Sequence, residues 1–387
     1  MFKTKEVSLV KVGLLSTAWE RVPPIGYGGI ESMVWDLVIG IQGLDDIEFS
    51  LFSVAATTKN QDLEKMKVSV GYYFESGQYL EIGSPEKKIW IEAVHDLAAR
   101  KWMEEQGIDV LHIHAGVCPT TIMWAASKGI PVLITLHGPL DMPLVQSFYN
   151  MISQEGIYFN SISDAQRRAM VRLNYIDTIH HGIAVDPYPF VRKKRDYFLV
   201  IGRITPKKGQ LEAIDVAKSL GKSLIIAGSP EDTEEGLDYW EKEISPRVDK
   251  WIDGHRNKLH SVHRYLGTGD VIYFGEADFS QKVDLFGNAA ATLMPISWEE
   301  PFGLVMIESL ACGTPVVGFH RGSVPEIVEH GKTGFIVNDI KQMIEAARRV
   351  GEISPEHCRK SAETRFSNRV MARKYLELYR RILEKKT

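Results

Sequence analysis

Short apolar runs alternate with longer amphipathic stretches from the start of the chain, and the alternation runs through twice. Few architectures accept such a pattern. Strands with no polar face must be covered on both sides, and the amphipathic stretches between them supply the covering helices, as in a parallel, doubly wound sheet. In the first half the spacing predicts strands at 10–15, 49–54, 110–114, 132–136, 157–160 and 178–180, and helices over 31–42, 86–106 and 164–173. Ser163 and Asp164 open the last of these as an N-cap pair. The rhythm pauses at YPFVRKKRD, 188–196, a proline-interrupted, charged stretch expected to bury little and to act as a linker. It resumes with strands expected at 197–201, 223–227, 271–274, 291–294, 315–318 and 334–337.

The pattern divides the chain into a Rossmann-like domain over 1–190, a second one over 191–367, and a closing amphipathic helix over 368–387. That helix directs Val370, Tyr375, Leu376, Tyr379 and Leu383 toward one face and is expected to pack back on the first domain. A length of 387 residues suits two cores of common size. With 44% hydrophobic and 25% charged residues, the composition excludes a largely disordered chain. Forty-six basic against 50 acidic side chains leave a net charge of −4, which excludes a general nucleic-acid binder. Cys118, Cys312 and Cys358 stand too far apart for a CxxC metal site or a disulfide framework, so a reducing, cytoplasmic compartment is expected. The start, MFKTKEVSLVKVGLL, lacks the apolar core and cleavage pattern of a signal peptide. The most apolar stretch, 110–126, contains Gly116, Pro119 and two histidines and is too short to span a bilayer. No transmembrane segment is expected, while peripheral contact with a membrane surface is left open.

The most informative segment is SWEEPFGLVMIESLACGTPVV, 297–317. A loop holding Glu300 leads through Pro301, Phe302 and Gly303 into a helix, with Glu308 about one turn inside and free backbone N–H groups at its start. An anion bound there would be flanked by two carboxylates able to accept hydrogen bonds from hydroxyls on either side, as a phosphate between two sugars requires. A capping glutamate followed by a solvated one is the plainer alternative. GRITPKKG, 202–209, follows a strand and precedes a helix expected over 210–220, which brings Arg203 and Lys208 to the carboxyl edge of the sheet where ligands bind. Two cations beside a helix start can neutralise a diphosphate leaving group. A solvated basic turn is the alternative, and for Lys207 it suffices.

In the first domain, IGYGGI at 25–30 lies between a strand and a helix, but it is not the GxGxxG dinucleotide fingerprint, and a tight turn needing positive φ explains it equally well. His137 ends the strand VLITL in an HGP turn, at the edge of a cleft rather than in a core. His112 and His114 alternate on one strand and share a face, yet a third ligand at metal spacing is missing, so both read as structural, with His114 able to reach the cleft. His180 and His181 in HHGIAVD receive no catalytic role. GKT at 331–333 is not a phosphate loop, since that motif needs glycine where Glu326 stands. No two aspartates stand two residues apart, so a DxD metal motif is missing and no metal site is assigned.

EPFGLVMIE followed by ACGTPVVG resembles the signature of the family 4 retaining glycosyltransferases, or glycosyl transferases group 1, which have the GT-B fold. YGGIE at 27–31, LITLHGP at 133–139, GRITPKKG and GKTGFIV at 331–337 agree with it, so the resemblance covers nearly the whole chain. It implies an α/β architecture of two Rossmann-like, doubly wound domains facing each other across a cleft. It also implies transfer of a hexose from a UDP- or GDP-sugar to an acceptor hydroxyl, with retention and with no metal or other cofactor required. By similarity, Glu300 would bind hydroxyls of the transferred sugar, Glu308 the ribose, and the backbone N–H groups of Gly303 and Leu304 the phosphate. Arg203 and Lys208 match the family's phosphate pair, Gly28 and Gly29 its glycine-rich loop near the donor, and His137 the histidine that touches the transferred sugar. Glu31 is a lesser candidate for contact with either substrate. The turn at 274–276 lies where relatives hold the base. The first domain, including 59–85, would hold the unidentified acceptor. A GT-B nucleotide-sugar epimerase is the nearest alternative, and a catalytically silent nucleotide-sugar-binding protein the next. The latter would need neither Glu300 nor His137.

Overall fold

A computed structural model describes residues 9–24, 28–44, 46–55, 68–74, 85–252 and 266–385. The chain forms two compact units, one made of Met1–Gly182 with Asn368–Thr387 and the other of Ile183–Ser367. Each holds a seven-stranded sheet whose strand pairs all run parallel.

In the first unit the strands are β1 (Val10–Leu15), β2 (Ile47–Ala55), β3 (Val68–Phe74), β4 (Val110–Ile113), β5 (Val132–Thr135), β6 (Ile157–Ser161) and β7 (Tyr175–Thr178). Their order is β3-β2-β1-β4-β5-β6-β7, so the winding reverses between β1 and β4. Helices α1 (Gly29–Gly40), α2 (Pro85–Met103), α3 (Pro119–Ser127), α4 (Pro143–Ile152) and α5 (Asp164–Arg167) connect them. The sheet is coated on both faces. One core cluster joins Val12 and Leu14 to α1 residues such as Leu37, and the other joins Leu15 and Ile113 to Met103 and Ile122.

The second unit has β8 (Tyr197–Ile201), β9 (Ser223–Ala227), β10 (Lys250–Trp251), β11 (Val271–Gly275), β12 (Ala291–Met294), β13 (Val316–Phe319) and β14 (Gly334–Val337). Their order, β10-β11-β9-β8-β12-β13-β14, puts the reversal between β8 and β12. Its helices are α6 (Gln210–Ser219), α7 (Glu234–Tyr239), α8 (Phe279–Asn288), α9 (Leu304–Ala311), α10 (Val324–Ile327), α11 (Ile340–Arg348) and α12 (Pro355–Arg365). Crevices at such reversals are where ligands bind in open parallel sheets.

The last helix, α13 (Asn368–Glu384), returns to the first unit and buries Met371, Ala372, Tyr375, Leu376, Leu378, Tyr379 and Ile382 in its core. Val370 is only half-buried and Leu383 packs at the margin, so the buried stripe is wider than the sequence pattern gives and offset from it. Other departures have local causes. The unpredicted β3 lies inside 59–85, and the two-residue β10 is too short to carry a periodicity. Strand β7 sits three residues earlier than 178–180, and the helix over 164–173 stops at Arg167, passing into a 3₁₀ turn at Arg168–Met170. The rest of 59–85, like Ile25 to Tyr27, lies outside the described residues. The change of unit falls at Gly182, ahead of the charged stretch expected as linker, because Tyr188 within that stretch is buried in the second unit.

Candidate active site

Adjacency of β8 and β12 brings the two most informative segments together. Gly209 closes GRITPKKG at φ 74°, and a Cβ there would stand 2.1 Å from the carbonyl oxygen of Pro295, just beyond β12. A backbone bond from Ser297 N to Lys207 O at 3.0 Å ties the same loops. Lys208 reaches Glu300 in an ion pair, and its ammonium lies 5.0 Å from the centre of the Trp298 ring. Glu300 is buried, 8% exposed. Its own backbone is fixed as well, since Ser323 N donates to its carbonyl at 3.0 Å.

Beyond Glu300 the chain turns into α9 through Gly303, whose φ of 78° suits glycine because the left-handed region penalises a Cβ. Leu304 is the first residue of α9, so the backbone donors of Gly303 and Leu304 stand at a helix N-terminus as the sequence predicts. Glu308, on the next turn, is 6% exposed. Lys282 of α8 donates to its Oε1 at 2.5 Å and the Tyr188 hydroxyl to the same oxygen at 3.0 Å. Neither partner is foreseen in the sequence. Tyr188 belongs to the stretch expected to bury little, and Lys282 lies in FSQK, which carries no motif. Phe279 explains their meeting: Tyr188 packs edge-on against its ring at 5.3 Å and Lys282 lies over it at 5.8 Å.

Arg203 lies on the same loop as Lys208 but takes a different partner. It is exposed and bonds Glu231 at 3.0 Å, while its own carbonyl accepts from Gln210 Nε2 at 2.9 Å. Five of the predicted residues, Lys208, Glu300, Gly303, Leu304 and Glu308, thus lie along one continuous path, with Arg203 at its rim in the strand-following loop. The 274–276 turn joins the same sheet edge, where Gly228 N donates to Gly275 O at 2.7 Å and Ser229 to Glu276 at 2.7 Å.

In the first unit β1 and β4 are neighbouring strands, so the segments that follow them leave the sheet on either side of the other reversal. Gly28 caps the start of α1, and a Cβ on it would come within 2.9 Å of Glu31 and Pro24. Gly29 is the first helical residue. Glu31 is buried and takes the Thr17 hydroxyl bond, and burial raises its carboxyl above the ordinary range. His137 is half-buried after β5, in a cluster rather than free at an edge: its Nε2 lies 3.0 Å from His114 Nδ1, and its ring stacks on His181 at 5.2 Å. Desolvation pushes its pKa down to about 3, so the imidazole is neutral at physiological pH. Cys118, Cys312 and Cys358 are free and buried. Among the described residues no group of three or more His, Cys, Asp or Glu is placed to hold a metal ion, and no helix is long and apolar enough to cross a membrane.

Comparison with known proteins follows the same division. Phosphatidyl-myo-inositol mannosyltransferase of Mycobacterium leprae is 23% identical over 286 residues, 69% of this chain and 70% of that one. Matches to the curated relatives span from 18% to 70% of those relatives' own lengths, 36% for the first of them. Among solved structures, AviGT4, a glycosyltransferase involved in avilamycin A biosynthesis, superimposes with a TM-score of 0.67 at 23% identity, covering 97% of this chain and 98% of that one. HepE of Anabaena, solved with UDP and glucose, gives 0.64 at 18% identity, covering 95% and 98%. These likenesses establish the GT-B fold. The model of Glycosyltransferase Family 4 matches residues 27–187 and that of Glycosyl transferases group 1 residues 188–365; the two adjoin without a gap, and the chain belongs to the family 4, group 1 glycosyltransferases.

Proposed function

We propose that the chain is a retaining glycosyltransferase that moves a hexose from a UDP- or GDP-sugar to an acceptor hydroxyl without a metal ion. The observation that carries the reading is the path Lys208–Glu300–Gly303–Glu308, in which a buried carboxylate stands on each side of a helix N-terminus. The diphosphate sits at the start of α9 and against Arg203 and Lys208, Glu308 takes ribose hydroxyls and Glu300 those of the sugar. Lys208 and Glu300 hold each other until the donor arrives. Each then exchanges its partner for a group on the ligand, so neither is left buried and unpaired at any stage. Gly28 and Gly29 let backbone approach the donor, and His137 orients the sugar. The first unit contributes the acceptor contacts.

As the bond from the anomeric carbon to the diphosphate breaks, negative charge grows on the departing oxygen, where the two cations and the helix start stabilise it. That oxygen accepts the proton of the acceptor hydroxyl, which attacks on the face the diphosphate leaves. No protein base or nucleophile enters. The UDP held by HepE supports a uridine nucleotide as the first to try. The test is mass-spectrometric detection of sugar transfer from a panel of UDP- and GDP-sugars, with a cell extract as acceptor source and parallel reactions in EDTA. An epimerised donor with no new glycoside, loss of transfer in EDTA restored by Mn²⁺, or an inverted anomeric proton coupling in the product would each refute a stated part of the reading.

A further inference from the structure

A line of imidazoles runs through the first unit to His137. His112 is fully engaged: its Nδ1 lies 2.7 Å from the Tyr379 hydroxyl and its Nε2 2.8 Å from that of Thr135. His114, on the same side of the strand, is not. Its ring centre is 4.0 Å from that of His112, its Nδ1 is 3.0 Å from His137 Nε2, and its Nε2 is buried with no partner among the described residues. A neutral imidazole carries one N–H and one acceptor nitrogen, so the two facing nitrogens must divide those roles. A proton on His114 Nε2 would be a buried N–H without an acceptor, the rarer and costlier kind of orphan. With the proton on Nδ1 instead, His114 donates to His137 Nε2, and the proton of His137 is confined to its own Nδ1. Burial keeps both rings neutral, holding His114 well below its usual range and His137 at about 3. Among the described residues His137 Nδ1 is bonded to no protein group, which leaves its hydrogen for a ligand.

We propose that His114 is a positioning residue for glycosyl transfer: it fixes His137 as the Nδ1–H tautomer, so that His137 meets the transferred sugar as a hydrogen-bond donor. This rests on the contact between His137 and the sugar proposed above. The His114 bond sets the tautomer and the His181 stack limits rotation of the ring, so the donated hydrogen has one direction.

Two-bond ¹H–¹⁵N correlation spectra of the 387-residue chain at pH 7 test it without any substrate. His137 is expected to show a protonated, pyrrole-type Nδ1 and a bare, pyridine-type Nε2. In His114→Leu the pattern should revert toward Nε2–H, the form that predominates in water, and kcat for sugar transfer should fall about three- to tenfold, the effect of one neutral hydrogen bond. His114→Asn places an amide nitrogen near the position of Nδ1 and should restore both the Nδ1–H pattern and most of the turnover. A protonated Nε2 on His137 in the parent protein overturns the proposal whatever the fate of the variants, as does unchanged turnover in His114→Leu with the tautomer reversed. Parent-rate transfer by His137→Ala would instead refute the sugar contact, while the nitrogen spectra would still report whether His114 sets the tautomer.

Discussion

On the proposed mechanism Lys208 both pairs with Glu300 and holds the diphosphate, and these two jobs pull the consequences of its removal apart. Within the ligand-free protein it neutralises a buried Glu300, so Lys208→Ala should destabilise the second unit by about 1–3 kcal/mol, the cost of leaving a buried acceptor unpaired. Adding Glu300→Gln should return most of that stability, because an amide tolerates burial better, yet turnover should stay low in the double variant. Thermal melts paired with kinetics measure both, and recovered turnover in the double variant would remove Lys208 from phosphate binding. Arg203 is the contrast. Its bond to Glu231 is exposed, so Arg203→Ala should change stability by less than about 1 kcal/mol while lowering kcat about a hundredfold or more. At Glu308, one oxygen already accepts from Lys282 and Tyr188. Glu308→Ala should weaken UDP or GDP binding about 10- to 100-fold by calorimetry, and Tyr188→Phe, which removes only a neutral donor to the same oxygen, less than tenfold. Residues of the proposed site are legible where one loop carries them in order: Glu300, Gly303 and Glu308 lie in a single motif, and Lys208 in another. The Glu308 partners Lys282 and Tyr188 are not, because what brings them together is packing around Phe279, a contact between helix and linker that no local spacing encodes.

The elements that the sequence announced are those with a buried face on both sides of the sheet. Strands β1, β8, β9 and β12 coincide with their predicted bounds, since a central parallel strand is a continuous apolar run with a definite start and stop. Edge strands are harder, although β14, opened by Gly334, coincides as well. In β3, VSVGYYF carries exposed positions, and β10 spans two residues whose pairing to β11 is set by the neighbour rather than by themselves. Loops at the reversal of the second sheet show a different kind of legibility, in which glycine marks a close approach. Gly209→Ala would combine a left-handed φ of 74° with a Cβ 2.1 Å from Pro295 O, whereas Gly331→Ala meets a similar φ of 76° with nothing within 4 Å. The second change should cost about 1–2 kcal/mol for conformation alone. The first should cost about 1–3 kcal/mol more, and it should also depress transfer by separating the Lys208 loop from Glu300. Urea unfolding of both variants decides, and equal losses would mean that the Gly209 loop relaxes without consequence.

At the scale of the whole molecule, chain order and structural order disagree at the C-terminus. Residues after Ser367 follow the second unit in sequence but belong to the first, where α13 lies along α1 and sends Tyr375 and Tyr379 into its core. The contact is close. A Cβ on Gly40 of α1 would come within 2.6 Å of Asn368 O, so a larger residue there would force the two helices apart. Polar bonds run alongside the apolar ones: Tyr379 meets His112 at 2.7 Å, and Tyr375 meets Thr135 at 3.1 Å and Asn160 at 3.2 Å. Burying a large side chain contributes about 1.5–3 kcal/mol, so Met371, Tyr375, Leu376, Leu378, Tyr379 and Ile382 together supply about 9–18 kcal/mol before entropy is subtracted. A whole domain is stable by only about 5–15 kcal/mol. A chain ending at Ser367 should therefore lose the cooperative structure of its first unit while the second, continuous over Ile183–Ser367, keeps its own. Hydrogen exchange read by mass spectrometry separates the two, with fast exchange expected in peptides from β1, β2 and α1 and native protection in those from β8, β12 and α9. Such a chain should still bind nucleotide, since Glu308, Lys282 and Lys208 all lie in the second unit, and it should transfer no sugar. Equal protection of both units after truncation would show that the first core closes without its last helix, and equal loss would show that the two units fold as one.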